Sequence, residues 1–483
     1  MSRVVILGAG ISGHTAATRL RERLARHHEI IVVSPNSKWN WIPSNIWVGV
    51  GLMRGEDVTF SLAPVYRKLG ITFVQAKALS IHPEGDAQIA MPFVEVEHTS
   101  GNATTERIPY DFLVNATGPK LKFDAVEGLG PAKNSLSVCT YGHAEEASRA
   151  LDAAVQRMRG GERQTFLIGT SHGLCTCEGA AFEYVFNVEY ELRQRGVRQL
   201  ADIIYISNEH ELGDFGVAGL HMQVNGYYTH SKMWAESLYT ERGIHWITRA
   251  HVERVDPGEA HYETLDGEHH TQRFDFAMLL PPFGGAGLSA FNRAGADITA
   301  DLFAPNGFMR VDADYTAKPF EEWKAADWPS SYQTPHFPNV FAIGIAFAPP
   351  HQISRPYKSP NGTPIVPSPP RTGMPSGVMG LTVARSIAEM IERKSLSTAH
   401  HASMARMGAA CVASAGASLL GGTAAAMTMY PIVPDYARFP EYGRDLRFTF
   451  GEIGLGAHWI KRILHHAFIY KAKALPGWTF IPE

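Results

Sequence analysis

Cysteine is scarce in this sequence: a chain of 483 residues has four, at Cys139, Cys175, Cys177 and Cys411. So few and so widely spaced cysteines exclude a scaffold held together mainly by disulfides. A surplus of positive charge is also missing, because 44 Lys and Arg residues stand against 47 Asp and Glu residues. We therefore expect no nucleic-acid partner.

Long apolar runs are missing as well. No stretch reaches the roughly 20 strongly apolar residues that cross a bilayer, and small residues dominate the charge-free segment 407–434. We predict buried strands and turns in that segment. The chain begins almost at once with an apolar run and has no secretory signal pattern. With 45% hydrophobic and 19% charged residues, it has the composition of two or three folded domains.

The first 34 residues have the pattern strand, glycine turn, helix, strand. The buried-strand run Val4–Leu7 precedes the sequence GAGISG at residues 8–13, and a helical pattern follows. In such a turn Gly8 permits the tight bend, Gly10 lets the backbone approach a pyrophosphate, and Gly13 lets helix and strand pack closely. The second strand ends in Ser34 where an acidic ribose ligand is usual. We predict a dinucleotide-binding unit in which serine makes an uncharged hydrogen bond.

Two later segments repeat the strand-then-glycine pattern. The run 110–118 ends in Ala-Thr-Gly at residues 116–118, and the run 337–344 ends at Gly344. In this order the three segments are typical of flavoproteins with two dinucleotide-binding domains. We therefore predict an α/β fold with two Rossmann-like domains and FAD as the cofactor.

A further strand–turn–helix pattern lies at residues 166–173, but its glycines are incomplete. Only Gly169 and Gly173 are present, and Cys175-Thr176-Cys177 stands where the helix should begin. An NADH site would need the full glycine pattern. We predict that this unit has lost its nucleotide site and carries thiol chemistry instead. A Cys-x-Cys metal site is not expected, because the remaining ligands are not evident.

The tail from residue 454 to 482 is rich in aromatic and basic residues. Apolar side chains recur at steps of three and four, at Trp459, Ile460, Ile463, Leu464, Ala467 and Phe468. Between them lie Lys461, Arg462, His465 and His466, and Lys471 and Lys473 follow. We predict an amphipathic helix with a basic polar face that lies in a bilayer interface. The alternative is a helix packed on its own domain.

With these segments, the sequence resembles the sulfide:quinone oxidoreductases over nearly its whole length. The resemblance is carried by the segments 43–51 (PSNIWVGVG), 137–145 (SVCTYGHAE), 177–184 (CEGAAFEY), 279–283 (LLPPF) and 370–373 (PRTG), and by Cys411. It implies an FAD-binding domain at 1–160 and 286–395, a degenerate NAD-like domain at 161–285, and a C-terminal cap and membrane-attachment region at 396–483. The FAD-binding positions expected from motif and resemblance are Gly8, Ala9, Gly10, Gly13, Ser34, Pro43, Ala78, Thr117, Gly118, Gly344 and Gly373.

The resemblance also implies a chemistry for the cysteines. Cys177 and Cys411 would meet beside the flavin, joined by a disulfide or a short sulfur bridge. Hydrosulfide would attack this bridge, the flavin would take the electrons, and sulfur would leave as polysulfide. Cys139 would support sulfide entry or sulfur transfer, although a buried core thiol is the alternative, and it is a conceivable site of covalent FAD attachment. We predict that Cys175 is a bystander.

The expected partners are hydrogen sulfide, a membrane quinone and the membrane surface, with peripheral attachment to the cell membrane on a face that the sequence does not define. A homo-oligomer is compatible with the sequence. One departure from the family is Asp214, which stands where many members carry a histidine near the quinone side. The alternatives are the flavin subunit of a flavocytochrome c sulfide dehydrogenase, a type-II NADH:quinone reductase, and a non-catalytic flavoprotein. The missing export signal counts against the flavocytochrome subunit, and the missing second glycine pattern counts against the NADH:quinone reductase. The family-matching cysteines count against a non-catalytic flavoprotein.

Overall fold

A computed structural model describes residues 1–101, 103–176, 178–397, 399–416 and 421–483. Within these ranges the α-helices are α1 (Ile11–Arg23), α2 (Asn45–Gly49), α3 (Gly55–Val58), α4 (Leu62–Leu69), α5 (Tyr141–Arg159), α6 (Glu178–Gln194), α7 (Ser231–Glu241), α8 (Thr299–Leu302), α9 (Gly373–Arg393) and α10 (Leu455–Ala472). 

The strands of the same ranges are β1 (Arg3–Leu7), β2 (Glu29–Val33), β3 (Lys38–Asn40), β4 (Thr59–Ser61), β5 (Thr72–Val74), β6 (Ala76–His82), β7 (Phe93–His98), β8 (Thr105–Pro109), β9 (Phe112–Asn115), β10 (Lys120–Leu121), β11 (Gln164–Thr170), β12 (Ala201–Ile206), β13 (His221–Val224), β14 (Tyr227–His230), β15 (Ile244–Ile247), β16 (Ala250–Asp256), β17 (Glu259–Thr264), β18 (His269–Arg273), β19 (Phe276–Leu280), β20 (Phe283–Gly284), β21 (Ser289–Ala290), β22 (Val340–Ala342), β23 (Tyr357–Lys358), β24 (Pro364–Ile365), β25 (Ala409–Ala415), β26 (Thr423–Met429) and β27 (Phe450–Gly454).

The first sheet is parallel and five-stranded, in the order β22-β9-β1-β2-β5. Its central strands β1 and β9 are apolar and almost wholly buried, as expected when helices cover both faces of a parallel sheet. Helix α1 follows β1 directly and packs along α9. Because the strands run in one direction, the turns after β1, β9 and β22 meet at one edge of the sheet.

The second sheet is also parallel, in the order β15-β12-β11-β19. The predicted strand–turn–helix unit at residues 166–173 is confirmed, since β11 leads through a turn towards α6. Its two glycines serve chain packing. A β-carbon on Gly169 would lie 1.8 Å from the Ile206 carbonyl oxygen, and one on Gly173 would lie 2.1 Å from that of Pro364. These close approaches explain why both positions are glycine, and the loss of the second nucleotide site stays a prediction.

The third sheet is mixed and contains the charge-free segment. Strands β25 and β26 of that segment pair with each other, and the order is β14-β13-β27-β26-β25. The prediction of strands and turns at residues 407–434 is thus confirmed for its described part. Strands β13 and β14 come from the range 161–285, so one sheet joins the middle of the chain to its C-terminal region. The domain boundaries themselves stay a prediction.

The tail helix forms as predicted, but the prediction of which side chains face outwards was partly wrong. Helix α10 packs on β25 and β26, and its buried side includes Lys461 and His465. Three apolar residues, Trp459, Ile460 and Ile463, point outwards with exposed fractions of 40%, 51% and 65%. Lys461 and His465 turn inwards because the chain supplies polar partners for them, Glu183 for the lysine and Ser44 for the histidine, which periodicity alone does not reveal. In the described part of the chain, none of the helices has the length and apolar character that crossing a membrane requires.

Candidate functional site

In the glycine turn after β1, two glycines lie against backbone and the middle one borders open space. Gly8 has φ +103°, and its N–H donates to the Val33 carbonyl oxygen at 2.7 Å. A β-carbon on Gly8 would lie 2.1 Å from the Ala116 carbonyl oxygen, and one on Gly13 would lie 2.1 Å from that of Gly8. At Gly10 a β-carbon would meet nothing within 4 Å. Only the middle glycine therefore borders free space, as a phosphate-binding turn requires.

The N-terminus of α1 points into that free space without a cap from its own chain. Gly10 is the N-cap residue, no side chain caps the helix, and no acidic residue lies in its first turn. Its first N–H groups and the positive end of the helix dipole are thus available to an anion. Ser34 is buried beside β2, and its Oγ accepts a hydrogen bond from the Asn36 N–H at 3.3 Å.

The other strand-end markers gather around the same helix. A β-carbon on Gly344, at φ +65°, would lie 2.4 Å from Ser12 Oγ, and one on Gly373 would lie 3.0 Å from Ile11 Cδ1. Thr117 donates its hydroxyl to Asn115 Oδ1 at 2.8 Å, and Gly118 follows it at φ +71° with open space beside it. 

Three other positions predicted to bind the cofactor lie buried within the turn or in other parts of the structure. Ala9 is buried within the glycine turn. Pro43 lies in the 3-10 helix Ile42–Ser44, which leads into α2. Ala78 lies on β6 opposite Val96, in a separate four-stranded sheet. Their contact with a flavin stays a prediction.

The described cysteines have free thiols in three different settings. Cys175 is fully buried; its Sγ accepts from the His172 N–H at 3.3 Å and donates to the Leu280 carbonyl oxygen at 3.3 Å. Burial raises the pKa of Cys175 to about 12. Cys139 precedes α5 and is partly buried, and burial raises its pKa to about 11. Cys177, the other predicted sulfur of the pair, lies outside the described residues.

Cys411 lies against the first turn of α6. A β-carbon placed on Gly179 would be 2.8 Å from the Cys411 Sγ, so only glycine leaves room for the sulfur. Helix α6 begins at Glu178, the residue that follows Cys177 in the sequence. The structure therefore brings strand β25, which carries Cys411, to the segment of the chain that directly follows Cys177.

An ion pair that the sequence analysis missed adjoins Cys411. Lys461 of α10 donates to both carboxylate oxygens of Glu183 on α6, at 2.6 Å to Oε1, and its Nζ is 3.4 Å from the Val412 carbonyl oxygen. Both side chains are buried. Burial raises the pKa of Cys411 to about 11, Glu183 adds to the rise, and Lys461 opposes it. The only sequence signal was a glutamate between the core residues Phe182 and Tyr184.

A hydrogen-bond network fixes β25 between α6 and α10. The Ser414 carbonyl oxygen accepts from Trp47 Nε1 at 3.0 Å and from Asn187 Nδ2 at 2.8 Å. The Ser414 hydroxyl lies 2.6 Å from His458 Nδ1 of α10. Trp47 belongs to the segment 43–51. Three distant segments thus converge on the strand that carries Cys411.

The fold and the described residues define a class of protein. The structure has two parallel sheets of the dinucleotide-binding type. The turn after β1 leaves open space at Gly10, whereas Gly169 and Gly173 of the second unit lie against backbone. This is the architecture of flavoproteins with two dinucleotide-binding domains. A solved structure of NDH2 from Plasmodium falciparum, in complex with NADH, shares this fold at 11% identity and a TM-score of 0.62, covering 99% of this chain and 95% of that one. The predicted fold class is confirmed.

Within that class, the resemblance to sulfide:quinone oxidoreductases is confirmed. The sulfide-quinone reductase of Aquifex aeolicus (strain VF5) is 29% identical over 470 residues, which is 97% of this chain and 91% of that protein. The crystal structure of the sulfide:quinone oxidoreductase from Aquifex aeolicus matches with a TM-score of 0.75 and 27% identity, covering 98% of this chain and 92% of that one. No protein-family model matches the chain.

Proposed function

We propose that this chain is an FAD-dependent sulfide:quinone oxidoreductase, which oxidises sulfide at Cys177 and Cys411 and reduces a membrane quinone. The observation that carries the proposal is the position of the Cys411 sulfur against the first turn of α6, directly after Cys177 in the sequence. A sulfur relay between two cysteines needs both thiols at one place, and here they come from distant parts of the chain. The similarity to a sulfide-quinone reductase over nearly the whole chain supports the same function.

The residues around the glycine turn fit FAD. The uncapped start of α1 and the open side of Gly10 would take the pyrophosphate, and Ser34 would meet the ribose. Gly344, Gly373, Thr117 and Gly118 would border the rest of the cofactor, together with Pro43 and Ala78. Bound FAD would supply a two-electron acceptor next to the sulfur site. The protein's part is to hold that acceptor and to position the thiols.

The surroundings of Cys411 affect the sulfur exchange that we propose. Hydrosulfide attack on a Cys177–Cys411 disulfide forms one S–S bond and breaks another, giving a persulfide on one cysteine and a thiolate on the other. Burial raises the pKa of Cys411 to about 11, so a thiolate there is disfavoured. Cys139 would assist sulfide entry or sulfur transfer.

The outward side of α10 fits a membrane surface. Trp459, Ile460 and Ile463 form an exposed apolar side on the helix, and Ile453 at the end of β27 is exposed as well. Such exposure costs free energy in water, at about 25 cal/mol per Å², and is recovered when the apolar side chains enter a bilayer interface. Lys471 is buried and paired with Glu483 at 2.7 Å, so Lys473 is the more accessible of the two tail lysines. We propose peripheral attachment through this side of the helix, where quinone would enter.

Replacing Trp459, Ile460 and Ile463 together by serine should abolish binding to anionic phospholipid vesicles, measured by co-sedimentation. The variant should keep sulfide-dependent flavin reduction, because none of these side chains is on the buried side of α10. Met91→Ser, which removes an apolar side chain of similar exposure between β6 and β7, is the matched control and should bind as the unaltered protein does. Unchanged sedimentation of the triple variant would contradict the proposed membrane surface.

Anaerobic titration of the purified protein with sulfide tests the function. We expect sulfide to bleach the flavin absorbance and decylubiquinone to restore it, whereas NADH should leave the spectrum unchanged. Bleaching by NADH would favour a type-II NADH:quinone reductase. Bleaching by sulfide without reoxidation by quinone would favour a flavocytochrome-type subunit, and no bleaching by either would contradict all three enzymes.

A further inference from the structure

The ion pair of Glu183 with Lys461 lies one helical turn from the place where α6 meets the Cys411 sulfur. The Cys411 Sγ lies against Gly179, and Glu183 follows Gly179 by four residues on the same helix. Residues at this spacing share one face of a helix, about 5.4 Å apart along its axis. The carboxylate is thus the next side chain after the sulfur contact on that face of α6.

Strand β25 fixes both members of the ion pair through its backbone. The Ser414 N–H donates to Glu183 Oε1 at 3.2 Å. Lys461 Nζ lies 3.4 Å from the carbonyl oxygen of Val412, the residue that follows Cys411, and donates to both oxygens of the Glu183 carboxylate. Both charges are therefore held by backbone groups within three residues of Cys411.

The ion pair is shielded from water. The side chains of Lys461 and Glu183 are almost wholly buried, and the Lys461 ammonium lies 5.6 Å from the ring centroid of Trp47, itself a core residue. Charges in such a setting act on their neighbours much more strongly than charges on a wet surface. The pair can therefore influence the Cys411 sulfur across a short distance.

Other titratable groups border the pair. On α10 the neighbours are His458, whose Nδ1 lies 2.6 Å from the Ser414 hydroxyl, and His465, whose pKa is lowered to about 4, chiefly by burial. His465 is thus uncharged near neutral pH. On α6, Glu178 is repelled by Glu209 and Asp214, away from the pair.

The two charges of the pair act on Cys411 in opposite senses. Burial is the largest cause that raises the pKa of Cys411, the Glu183 carboxylate raises it further, and the Lys461 ammonium lowers it. A negative charge on this sulfur is therefore opposed by the glutamate and stabilised by the lysine. The effect of each charge follows from Coulomb attraction and repulsion between neighbours.

We propose that Lys461 supplies the positive charge that stabilises negative charge on the Cys411 sulfur during sulfide oxidation, and that Glu183 is the positioning residue that holds Lys461 there. This inference rests on the proposed function. When hydrosulfide attacks the Cys177–Cys411 disulfide, one S–S bond forms and the other breaks, and the electron pair of the broken bond stays on the leaving sulfur. The proton stays on the attacking sulfur.

The proposed role holds whichever cysteine is attacked. The single negative charge of hydrosulfide spreads over the three sulfur atoms during the exchange, so Cys411 carries part of it in either direction. A cation that is already fixed beside the place where charge develops lowers the barrier without reorganising at the moment of reaction. Lys461 and Glu183 form no bond and exchange no proton in this step.

Alkylation of Cys411 tests the charge effect without any flavin chemistry. With the other three cysteines replaced by serine, Cys411 is the single thiol, and it is only partly buried, so iodoacetamide can reach it. At pH 8.5, below the pKa of about 11, one unit of pKa changes the thiolate fraction about tenfold, and altered nucleophilicity offsets about half of this on a logarithmic scale. Lys461→Met should slow alkylation about threefold, and Glu183→Gln should speed it up about threefold.

The opposite signs separate a charge effect from a structural one. If the pair only held α10 to α6, either substitution would loosen the packing and speed up alkylation. The double variant, Lys461→Met with Glu183→Gln, should react at a rate between those of the single variants. Glu183→Gln keeps the test decisive if Lys461→Met does not fold. Equal rates in all variants, or faster alkylation in both single variants, would overturn the proposal.

Two substitutions in the same helices are the matched controls. Lys471→Met removes another buried lysine of α10, one paired with Glu483 at 2.7 Å, about 15 Å further along the helix. Glu191→Gln removes another buried carboxylate of α6, one paired with Arg195 at 3.3 Å. Neither should change the alkylation rate of Cys411. After unfolding in urea all variants should react equally fast.

Single-turnover reduction of the flavin by sulfide connects the charge effect to the proposed function. In the chain with all its cysteines, Lys461→Met should lower the rate constant roughly tenfold, less than the loss of a donor that touches the reacting atom. Lys461→Arg keeps the positive charge and should restore most of the rate.

The failure of the inference and that of the proposed function give different results. If sulfide does not reduce the flavin of the unaltered protein, the function fails, and the alkylation rates still decide whether the pair sets the charge at Cys411. If sulfide does reduce it, and folded Lys461→Met reacts at the unaltered rate, the role of Lys461 is wrong and the function stands.

Discussion

Replacing Cys411 by serine is expected to abolish reduction of the flavin by sulfide. Serine cannot form a disulfide or hold a persulfide, so neither hydrosulfide attack nor sulfur transfer has a substitute at this position. Removal of a covalent participant typically lowers a rate by roughly a thousandfold or more. The variant should still fold and bind flavin, because the glycine turn lies in the first sheet, away from β25. Single-turnover bleaching by sulfide measures the loss, and Cys177→Ser should behave in the same way.

Cys175→Ser is the matched control for this prediction. Cys175 precedes Cys177 by two residues, but its thiol is fully buried and hydrogen-bonded to backbone groups, with a pKa raised to about 12. A serine hydroxyl can make the same two hydrogen bonds, so the variant should reduce its flavin almost as fast as the unaltered protein. Equal losses in Cys175→Ser and Cys411→Ser would overturn the assignment of Cys175 as a bystander.

Lys461→Met should destabilise the protein strongly. The substitution leaves the Glu183 carboxyl buried without its cation, and breaking a buried ion pair in this way costs about 3–5 kcal/mol. The loss should be larger at pH 8 than at pH 5. Without Lys461 the folded-state pKa of Glu183 rises further above its unfolded value, so stability present at low pH is lost as the pH increases. Urea unfolding at both pH values measures the effect.

A double variant separates the two contributions to this loss of stability, the unpaired buried charge and the change in packing. Lys461→Met combined with Glu183→Gln removes both charges and should recover most of the lost stability, as uncharged replacements of buried ion pairs often do. Lys232→Met is the matched control, because its ion pair with Glu211 at 2.9 Å is partly exposed, and solvent screening leaves such pairs with little effect. If the double variant is as unstable as the single one, the ion pair is not what fixes α10 to α6.

The features that the sequence predicted well are those that depend on neighbouring residues. The glycine turn at residues 8–13, the strands of the segment 407–434 and the tail helix were all recognised from local patterns. The strand–turn–helix unit around Gly169 and Gly173 was recognised in the same way. Glycine spacing limits backbone geometry within a few residues, so it can be read without knowledge of the rest of the fold.

The features that the sequence did not provide are contacts between distant segments. The pairing of Glu183 with Lys461 spans 278 residues, and nothing in either local pattern identifies the partner. The tail helix was placed correctly, but Lys461 and His465 were expected to lie on its outward face. Their inward orientation follows from partners that other segments, α6 and β25 among them, provide at the buried side of the helix.

The sequence by itself determined the two Rossmann-type units and the intact first glycine turn, because steric limits on glycine and strand periodicity act locally. Only the tertiary structure decided that Cys411 meets the start of α6 and that Lys461 points inwards. A buried charge or thiol takes its properties from whichever groups the fold packs against it. Desolvation and Coulomb interactions act through space, whereas a sequence pattern reports only what lies nearby along the chain.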